Sequence, residues 1–237
     1  MKRAPVIAAM LMLVATHSFA ADTDALLTER SNQYEIEWNG ISLGEGTISL
    51  AREADGCYVF TSTTDPIALV RWTYGSPREQ SRFCVEDGQL LAQQFEYSIE
   101  KRSKEGFRLD FDWVAKQVRT LKGGEMTQRD LPQPAYDRFL IREAVRLWVI
   151  RNQAGEAPAE AEFTMVDDDR IKTYRFAVIG PETIDTPTGK IDTVRVDRTD
   201  SAKRPSHYWM APSLDYVPVK IEQLRKDKVE LRMVLVK

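Results

Sequence analysis

The feature that most constrains the fold is a period-two alternation of apolar and polar residues, which recurs along the chain from Tyr34 onward. In "YEIEW", Tyr34, Ile36 and Trp38 share one face while two glutamates face the other way. The segment 108–113, "RLDFDW", repeats the pattern with two aspartates. Because neighbouring residues of a strand point to opposite faces, this spacing predicts half-buried β-strands.

Turn residues separate further strand candidates of the same kind. Asp55-Gly56, Asp87-Gly88 and other glycine-containing turns lie between them. Short strands joined by tight turns predict antiparallel pairing, and strands do not alternate regularly with helices as a parallel sheet requires. The candidates are 46–50, 57–63, 80–85, 91–100, 117–121, 162–166, 171–179, 190–197, 207–210, 217–224 and 229–236.

One segment, 137–153, breaks the period. In "DRFLIREAVRLWVIRNQ" apolar residues recur at spacings of three and four, which predicts a helix packed on the sheet. Additional apolar residues, Ile141, Val145 and Val149, widen the apolar stripe. This indicates a helix that is covered on two sides or that fills something hollow. The segment 66–74 is the candidate for a short second helix.

The amino-terminal residues 1–20 have the pattern of a secretory signal peptide. Lys2 and Arg3 precede an apolar run that ends in Ser18-Phe19-Ala20. The run has about ten residues where a membrane-spanning helix needs about twenty, so a signal peptide is favoured over an anchor. We expect cleavage after Ala20, a soluble protein in the periplasm, and no integral membrane segment afterwards. The remaining chain, 21–237, is predicted to form a single β-rich domain, with two sheet regions joined near 152–161 as an alternative.

The charge balance limits the partners. Removal of residues 1–20 leaves 31 of the 33 basic residues against 36 acidic ones. Nucleic acids and anionic membrane surfaces require a clustered basic face, so this mildly acidic balance argues against either as the main partner.

Two cysteines lie in strand-like segments, each beside an Asp-Gly turn. We expect Cys57 and Cys84 to form a disulfide in an oxidising compartment, stabilising the fold by roughly 3 to 4 kcal/mol. The alternatives are two buried thiols and a redox pair, although a redox pair usually shows Cys-x-x-Cys spacing.

Residues for catalysis are scarce. After signal removal His207 is the remaining histidine, and its neighbour Ser206 points to the opposite face of the strand. One histidine and two paired cysteines do not make a zinc site. The pair Asp110 and Asp112, and the acidic run 167–169, are more typical of solvated surfaces than of calcium loops. No phosphate-binding or dinucleotide-binding motif occurs. We therefore expect no catalytic, cofactor-binding or metal-binding residues.

A set of turn and strand residues, in a fixed order, resembles a known group. The chain from Tyr34 to Leu235 resembles the bacterial envelope family known as domain of unknown function 3108, although "LPQPAYDRF" departs from its expected helix start. The resemblance implies a secreted β-rich protein and transfers no catalytic residue. The residues that carry it are Tyr34, Gly40, Gly44, Gly46, Phe83, Asp87-Gly88, Phe95, Tyr97, Phe111-Asp112, Glu182-Thr183-Ile184, Thr186-Pro187, Gly189-Lys190, Thr193, Trp209 and 215–221.

The tryptophan-turn-proline hairpin is also similar, at the level of the fold, to that of periplasmic lipoprotein-carrier proteins. Those proteins hold acyl chains between an open, curved sheet and a helix, so this second likeness implies a hollow. The predicted fold is accordingly mainly β: a strongly curved antiparallel sheet or partial β-barrel with one long packed helix.

Three functions remain as hypotheses. The first is a non-enzymatic periplasmic protein that binds a hydrophobic or lipidic ligand, or an envelope component, near Trp38, Trp113, Trp148 and Trp209, for which a core role is the alternative. The second is an interaction or scaffold module for envelope assembly, using exposed strand edges such as the carboxy-terminal hairpin. The third is a carboxylate-dependent envelope hydrolase.

Overall fold

The computed structural model describes residues 23–187, 189–201 and 203–237. The predicted signal peptide and its cleavage after Ala20 lie outside these residues. In the described chain, the strands are β1 (Arg30–Trp38), β2 (Ile41–Arg52), β3 (Tyr58–Pro66), β4 (Pro77–Glu86), β5 (Gln89–Ile99), β6 (Phe107–Asp112), β7 (Gln117–Lys122), β8 (Glu125–Asp130), β9 (Tyr136–Asp137), β10 (Glu160–Val166), β11 (Ile171–Thr186), β12 (Gly189–Arg198), β13 (Ser206–Ala211), β14 (Val217–Arg225) and β15 (Lys228–Leu235); the helices are α1 (Ala68–Thr73) and α2 (Ile141–Gln153).

All these strands form one open sheet, in the order β8-β7-β6-β5-β4-β3-β2-β1-β15-β14-β13-β12-β11-β10-β9. Neighbouring strands pair antiparallel, except that β9 and β10 pair parallel. Strand β1 pairs with β15, and this ladder joins the strands before α2 and the strands after it into one sheet. The prediction of a mainly β, curved antiparallel sheet with one long helix and a short second one is confirmed.

One edge prediction was wrong. The carboxy-terminal hairpin of β14 and β15 does not form an exposed edge, because β15 pairs with β1 and β14 pairs with β13. The outer strands of the described sheet are β8 and β9. Pro218 lies at the beginning of β14, where a missing N–H is tolerated.

The two outer regions of the sheet approach each other through side chains. In the loop after β10, Asp168 forms an ion pair with Lys122 of β7. The carbonyl of Asp167, in the same loop, accepts a hydrogen bond from Arg129 of β8 at 2.6 Å. Within the described residues, strands β8 and β9 are not paired with each other. The sheet is therefore rolled around an interior without closing into a barrel.

Helix α2 lies inside this roll. Ile141, Val145 and Val149, the residues that widen its apolar stripe, are all buried. The ring of Phe139, just before the helix, stacks on Phe60 of β3 with centroids 4.2 Å apart. The wide apolar stripe predicted a helix that is covered on more than one side, and α2 is buried in this way.

The helix begins four residues later than the predicted 137. Asp137 belongs to β9, and its Oδ1 accepts hydrogen bonds from the N–H groups of Phe139 (2.9 Å) and Leu140 (2.8 Å) and from the Ser81 hydroxyl (2.7 Å). This carboxylate satisfies amides that would otherwise be unpaired at the start of the helical segment.

The disulfide prediction is confirmed, since Cys57 and Cys84 are bonded. The register explains why: Tyr58 pairs with Phe83 across β3 and β4, which brings the adjacent cysteines opposite each other. Strand β8, "EMTQRD", has no apolar alternation and was not predicted.

Candidate functional site

A cleft of about 180 Å³ lies between α2 and the concave face of the carboxy-terminal strands. We call it the α2 cleft. Its apolar lining comes from Ile141, Met165, Phe176, Tyr208, Ile221 and Met233, and three arginines, Arg138, Arg142 and Arg198, also border it.

The floor of the α2 cleft follows from strand alternation. Tyr208 pairs with Ile221, and Ile221 pairs with Met233, so these three residues form a row across β13, β14 and β15. Their sequence neighbours point to the opposite face, where Lys220, Glu222 and Arg232 carry charge. There, His207 lies across from Glu222. Alternation thus separates an apolar concave face from a charged convex face.

Two narrow cavities of about 30 Å³ each adjoin the α2 cleft. The first extension lies toward Tyr34 and Phe60. The second extension lies toward Val145 and Met210, and its lining is apolar apart from Arg142 and the Tyr208 hydroxyl. Arg142 and Ile221 border the cleft and both extensions. The three spaces therefore meet around these two side chains.

Buried charges line the first extension. Glu143 of α2 accepts hydrogen bonds from Arg146 at 2.7 and 2.9 Å and forms an ion pair with Arg30 of β1. Arg146 also donates to the carbonyls of Leu26 and Asp215, both at 2.7 Å. Burial lowers the pKa of the Arg30 guanidinium, opposed mainly by the charge of Glu143. Glu143 is thus shared between two arginines.

The arginines of the α2 cleft differ in their partners. Arg138 contacts Glu79 at 2.8 Å and Asp167 at 3.6 Å. Arg198 lies 3.2 Å from Asp200. Arg142 has no ion pair and no hydrogen-bond acceptor for its guanidinium among the described residues, and its Cζ lies 5.4 Å from the centre of the Phe139 ring.

Asp137 is buried and directly precedes Arg138, which borders the α2 cleft. Burial raises its pKa to about 6, although the hydrogen bonds from Leu140, Ser81 and Phe139 act in the opposite direction. Its second oxygen, Oδ2, has no hydrogen-bond partner in the described structure. A proton on Oδ2 would neutralise this carboxyl without disturbing the bonds to Oδ1.

The four tryptophans predicted near a cavity are dispersed. Trp38 is exposed at the end of β1. The indole N–H of Trp113 donates to the Ala92 carbonyl at 2.7 Å, and that of Trp148 donates to the Pro158 carbonyl at 3.0 Å. Trp209 is buried on the convex side, with Lys220 Nζ 4.3 Å from its ring centre. None of the four borders the α2 cleft or its two extensions.

Sequence reasoning missed the residues that do form the cleft. Tyr208, Ile221 and Met233 lie in predicted strands, and their alternation indicated burial but not which buried residues would face a gap. Arg142, in the predicted helix, was not among the candidate binding residues. Its position next to Ile141, one of the residues that widen the apolar stripe, was the available signal.

The side chains considered for catalysis are held in surface interactions. His207 Nδ1 lies 2.7 Å from Asp197 on the convex face. Asp110 accepts hydrogen bonds from Gln94 and Arg108 at 3.0 Å. Across the described ranges, His, Cys, Asp and Glu side chains form no group of three or more that could hold a metal ion. Neither helix of the described chain has the length and apolarity to cross a bilayer.

Comparison with protein families supports the resemblance found in the sequence. The family model described as "Protein of unknown function (DUF3108)" matches residues 33–235. A search of curated proteins found no match.

Solved structures give a likeness of fold. A beta-barrel-like protein of domain of unknown function DUF1849 from Brucella abortus superposes with a TM-score of 0.52 at 12% identity, covering 89% of this chain and 97% of the other. A protein with a YmcC-like fold from Bacteroides fragilis has a TM-score of 0.36 at 13% identity, covering 86% and 92%. LprF from Mycobacterium bovis has a TM-score of 0.27 at 12% identity, covering 91% and 88%. Because the last two scores are below 0.5, we draw nothing from them.

Proposed function

We propose that this chain, which belongs to the family "Protein of unknown function (DUF3108)", is a non-enzymatic binding protein. It takes the apolar part of a lipid-like ligand into the α2 cleft. The observation that carries this proposal is the apolar row of Tyr208, Ile221 and Met233, which lines a space that α2 does not fill.

The size of the space favours one apolar chain rather than a bulky ligand. An apolar cavity of about 150 Å³ accommodates a benzene-sized molecule, so the α2 cleft suits a short run of methylene groups. Each buried methylene contributes about 0.8 kcal/mol. Met165 and Met233 are flexible and polarisable, so they adapt to chains of different shape. The two extensions offer room for a longer chain if Arg142 and Ile221 move.

The proposed setting is the periplasm. Residues 1–20 have the signal-peptide pattern, and an exported protein with a disulfide matches an oxidising compartment. Amino-terminal sequencing of protein purified from the periplasm of a Gram-negative host should give Ala21 as the first residue. A chain that keeps residues 1–20 would contradict this setting.

The binding function is tested by the ligand that accompanies the protein. Mass spectrometry of an organic extract of periplasm-purified protein should reveal a lipid-like molecule in the wild type. Met233→Phe fills the α2 cleft and should remove it. The matched control is Val234→Phe, because Val234 follows Met233 in β15 and points to the convex face. A ligand that is absent from the wild type, or equally abundant in both variants, would refute the proposal.

Strand β8 favours a second candidate, an interaction module for envelope assembly. It is an outer strand, its described residues are exposed apart from the half-buried Arg129, and it has no partner on its outer side in the described sheet. Such an edge can pair with a strand of another protein. Hydrogen exchange measured with and without envelope extract should show added protection at residues 125–130 if this candidate is correct. Unchanged exchange there would dismiss it.

A further inference from the structure

We infer that the ligand of the α2 cleft carries an anionic group, a carboxylate or a phosphate, and that Arg142 binds that group. This inference deepens the proposed function and rests on it. It identifies the ligand class as an anionic amphiphile with one apolar chain in the cleft.

The first support is that Arg142 is free to bind. The other two arginines of the cleft have carboxylate partners within 3.6 Å: Glu79 and Asp167 for Arg138, and Asp200 for Arg198. Arg142 has none among the described residues, and its Cζ lies over the Phe139 ring, 5.4 Å from the ring centre. A guanidinium offers a planar set of donors that matches carboxylate and phosphate oxygens.

The second support is the local charge. Around the first extension, Arg30, Arg142 and Arg146 face a single carboxylate, Glu143. Glu143 is already bound to Arg30, which is mostly buried, and to Arg146, which is fully buried. The α2 cleft adds Arg138, which is paired with Glu79 and Asp167, and Arg198, which shares Asp200 with Lys172. The excess positive charge therefore lies next to Arg142, in a chain whose net charge is −3.

The third support is the cost of binding a neutral ligand. Arg142 borders the cleft and both extensions, so a chain that fills them displaces water from its guanidinium. A desolvated cation without a partner is strongly unfavourable. An anionic group on the ligand removes that penalty, because it replaces the displaced water with charge-assisted hydrogen bonds.

The test compares ligands that differ only in the head group. Dodecanoate and dodecyl phosphate, each below its critical micelle concentration, and dodecanol, below its solubility limit, are titrated against a fluorescent apolar probe bound to the mature protein. In the wild type both anions should bind about 10- to 100-fold more tightly than dodecanol, the gain typical of hydrogen bonds to a charged group. The tighter of the two anions distinguishes a carboxylate from a phosphate ligand.

Variants assign the effect to Arg142. Arg142→Gln should abolish the preference for anions while leaving dodecanol binding unchanged or slightly tighter, and Arg142→Lys should retain part of the preference. Arg119→Gln removes an exposed charge on β7, away from the cleft, and should behave as the wild type.

The outcomes separate the two proposals. If dodecanol and the anions bind equally and Arg142→Gln has no effect, the head-group inference is wrong while binding in the cleft stands. If no ligand displaces the probe, or Met233→Phe binds all of them as the wild type does, the proposed function fails and the inference fails with it.

Discussion

The two sides of the interior around α2 are packed differently. Toward β3–β7, Phe83, Phe95 and Leu109 have no exposed surface. Toward β10–β15, Met165, Ile221 and Met233 border the α2 cleft, so part of each side chain faces a gap. The same alternation of apolar and polar residues produces the buried residues on both sides. The comparison therefore indicates a division of roles, in which the amino-terminal strands stabilise the fold and the carboxy-terminal strands leave room for a ligand.

The largest expected effect contrasts a core truncation on each side. Leu109→Ala should lower the free energy of unfolding by about 3 to 5 kcal/mol, because it opens a cavity in a filled core. Met233→Ala should cost only about 2 kcal/mol, the lower end for such truncations, since its site already borders a gap. Urea unfolding of both variants measures the difference. Equal losses would show that the two sides are packed alike.

The disulfide should strengthen the packed side. It joins β4 to the residue preceding β3, next to the pair Tyr58 and Phe83. Replacing both Cys57 and Cys84 with Ser should lower the free energy of unfolding by roughly 3 kcal/mol. The same substitutions should leave ligand affinity at the α2 cleft unchanged once the protein is folded. Thermal or urea unfolding without reductant measures the first effect, and loss of ligand binding in the folded variant would contradict the second.

Asp137 of β9 accepts a hydrogen bond from Ser81 of β4 and so links the two sides. Its ionisation should make the free energy of unfolding depend on pH. Because its pKa is raised to about 6 from 3.8, the folded state holds the proton more tightly than the unfolded state. This contribution is fully present below about pH 4 and is lost as the pH rises through about 6, a change of about 3 kcal/mol.

Asp137→Asn isolates that contribution. The amide oxygen can keep the hydrogen bonds to Ser81, Phe139 and Leu140 and carries no charge at any pH. Between about pH 4 and pH 7 the stability of the variant relative to the wild type should rise by about 3 kcal/mol. Urea unfolding of both proteins across this range measures it. A constant difference would show that Asp137 ionises normally in the folded protein.

The smallest expected effect on the free energy of unfolding is that of replacing Arg142. Its guanidinium has no partner among the described residues, so Arg142→Gln should change the free energy of unfolding by no more than about 0.5 kcal/mol. The corresponding change on the buried ion pair, Arg146→Gln, should cost about 3 kcal/mol or more, since Glu143 then loses a partner. Similar losses for both would indicate that Arg142 is structural.

Much of the fold could be predicted from the sequence, because strand alternation and turn residues are local signals. The strands around Tyr34 and Leu109, the long helix, the short one at α1 and the disulfide were all predicted this way. Strand β8 was missed because an exposed outer strand needs no apolar face. The carboxy-terminal hairpin was wrongly predicted at a sheet edge, because β15 pairs with β1. No local sequence pattern reveals a pairing between strands so far apart in the chain.

The candidate site was less predictable for a physical reason. A cleft is a place where packing is incomplete, and apolar residues that line a gap have the same pattern as residues that fill a core. Tryptophan rings were expected at the cavity, yet Trp148 and Trp209 are buried elsewhere, and the cleft is lined by other residues such as Phe176, Tyr208 and Met233. The sequence also cannot show that Arg142 lacks a partner among the described residues, because that depends on which side chains the fold brings near it.

Nuclear magnetic resonance of the methionine methyl groups tests the central claim most directly. In the chain after residue 20 the methionines are Met126 on the outer strand β8, Met165 and Met233 in the α2 cleft, and Met210 in its second extension. Titration of the mature protein with dodecanoate should shift the signals of Met165 and Met233, and that of Met210 if the chain reaches the extension, while Met126 stays unchanged. Saturating dodecanoate that leaves the Met165 and Met233 signals in place, or that shifts Met126 alone, would contradict binding in the cleft.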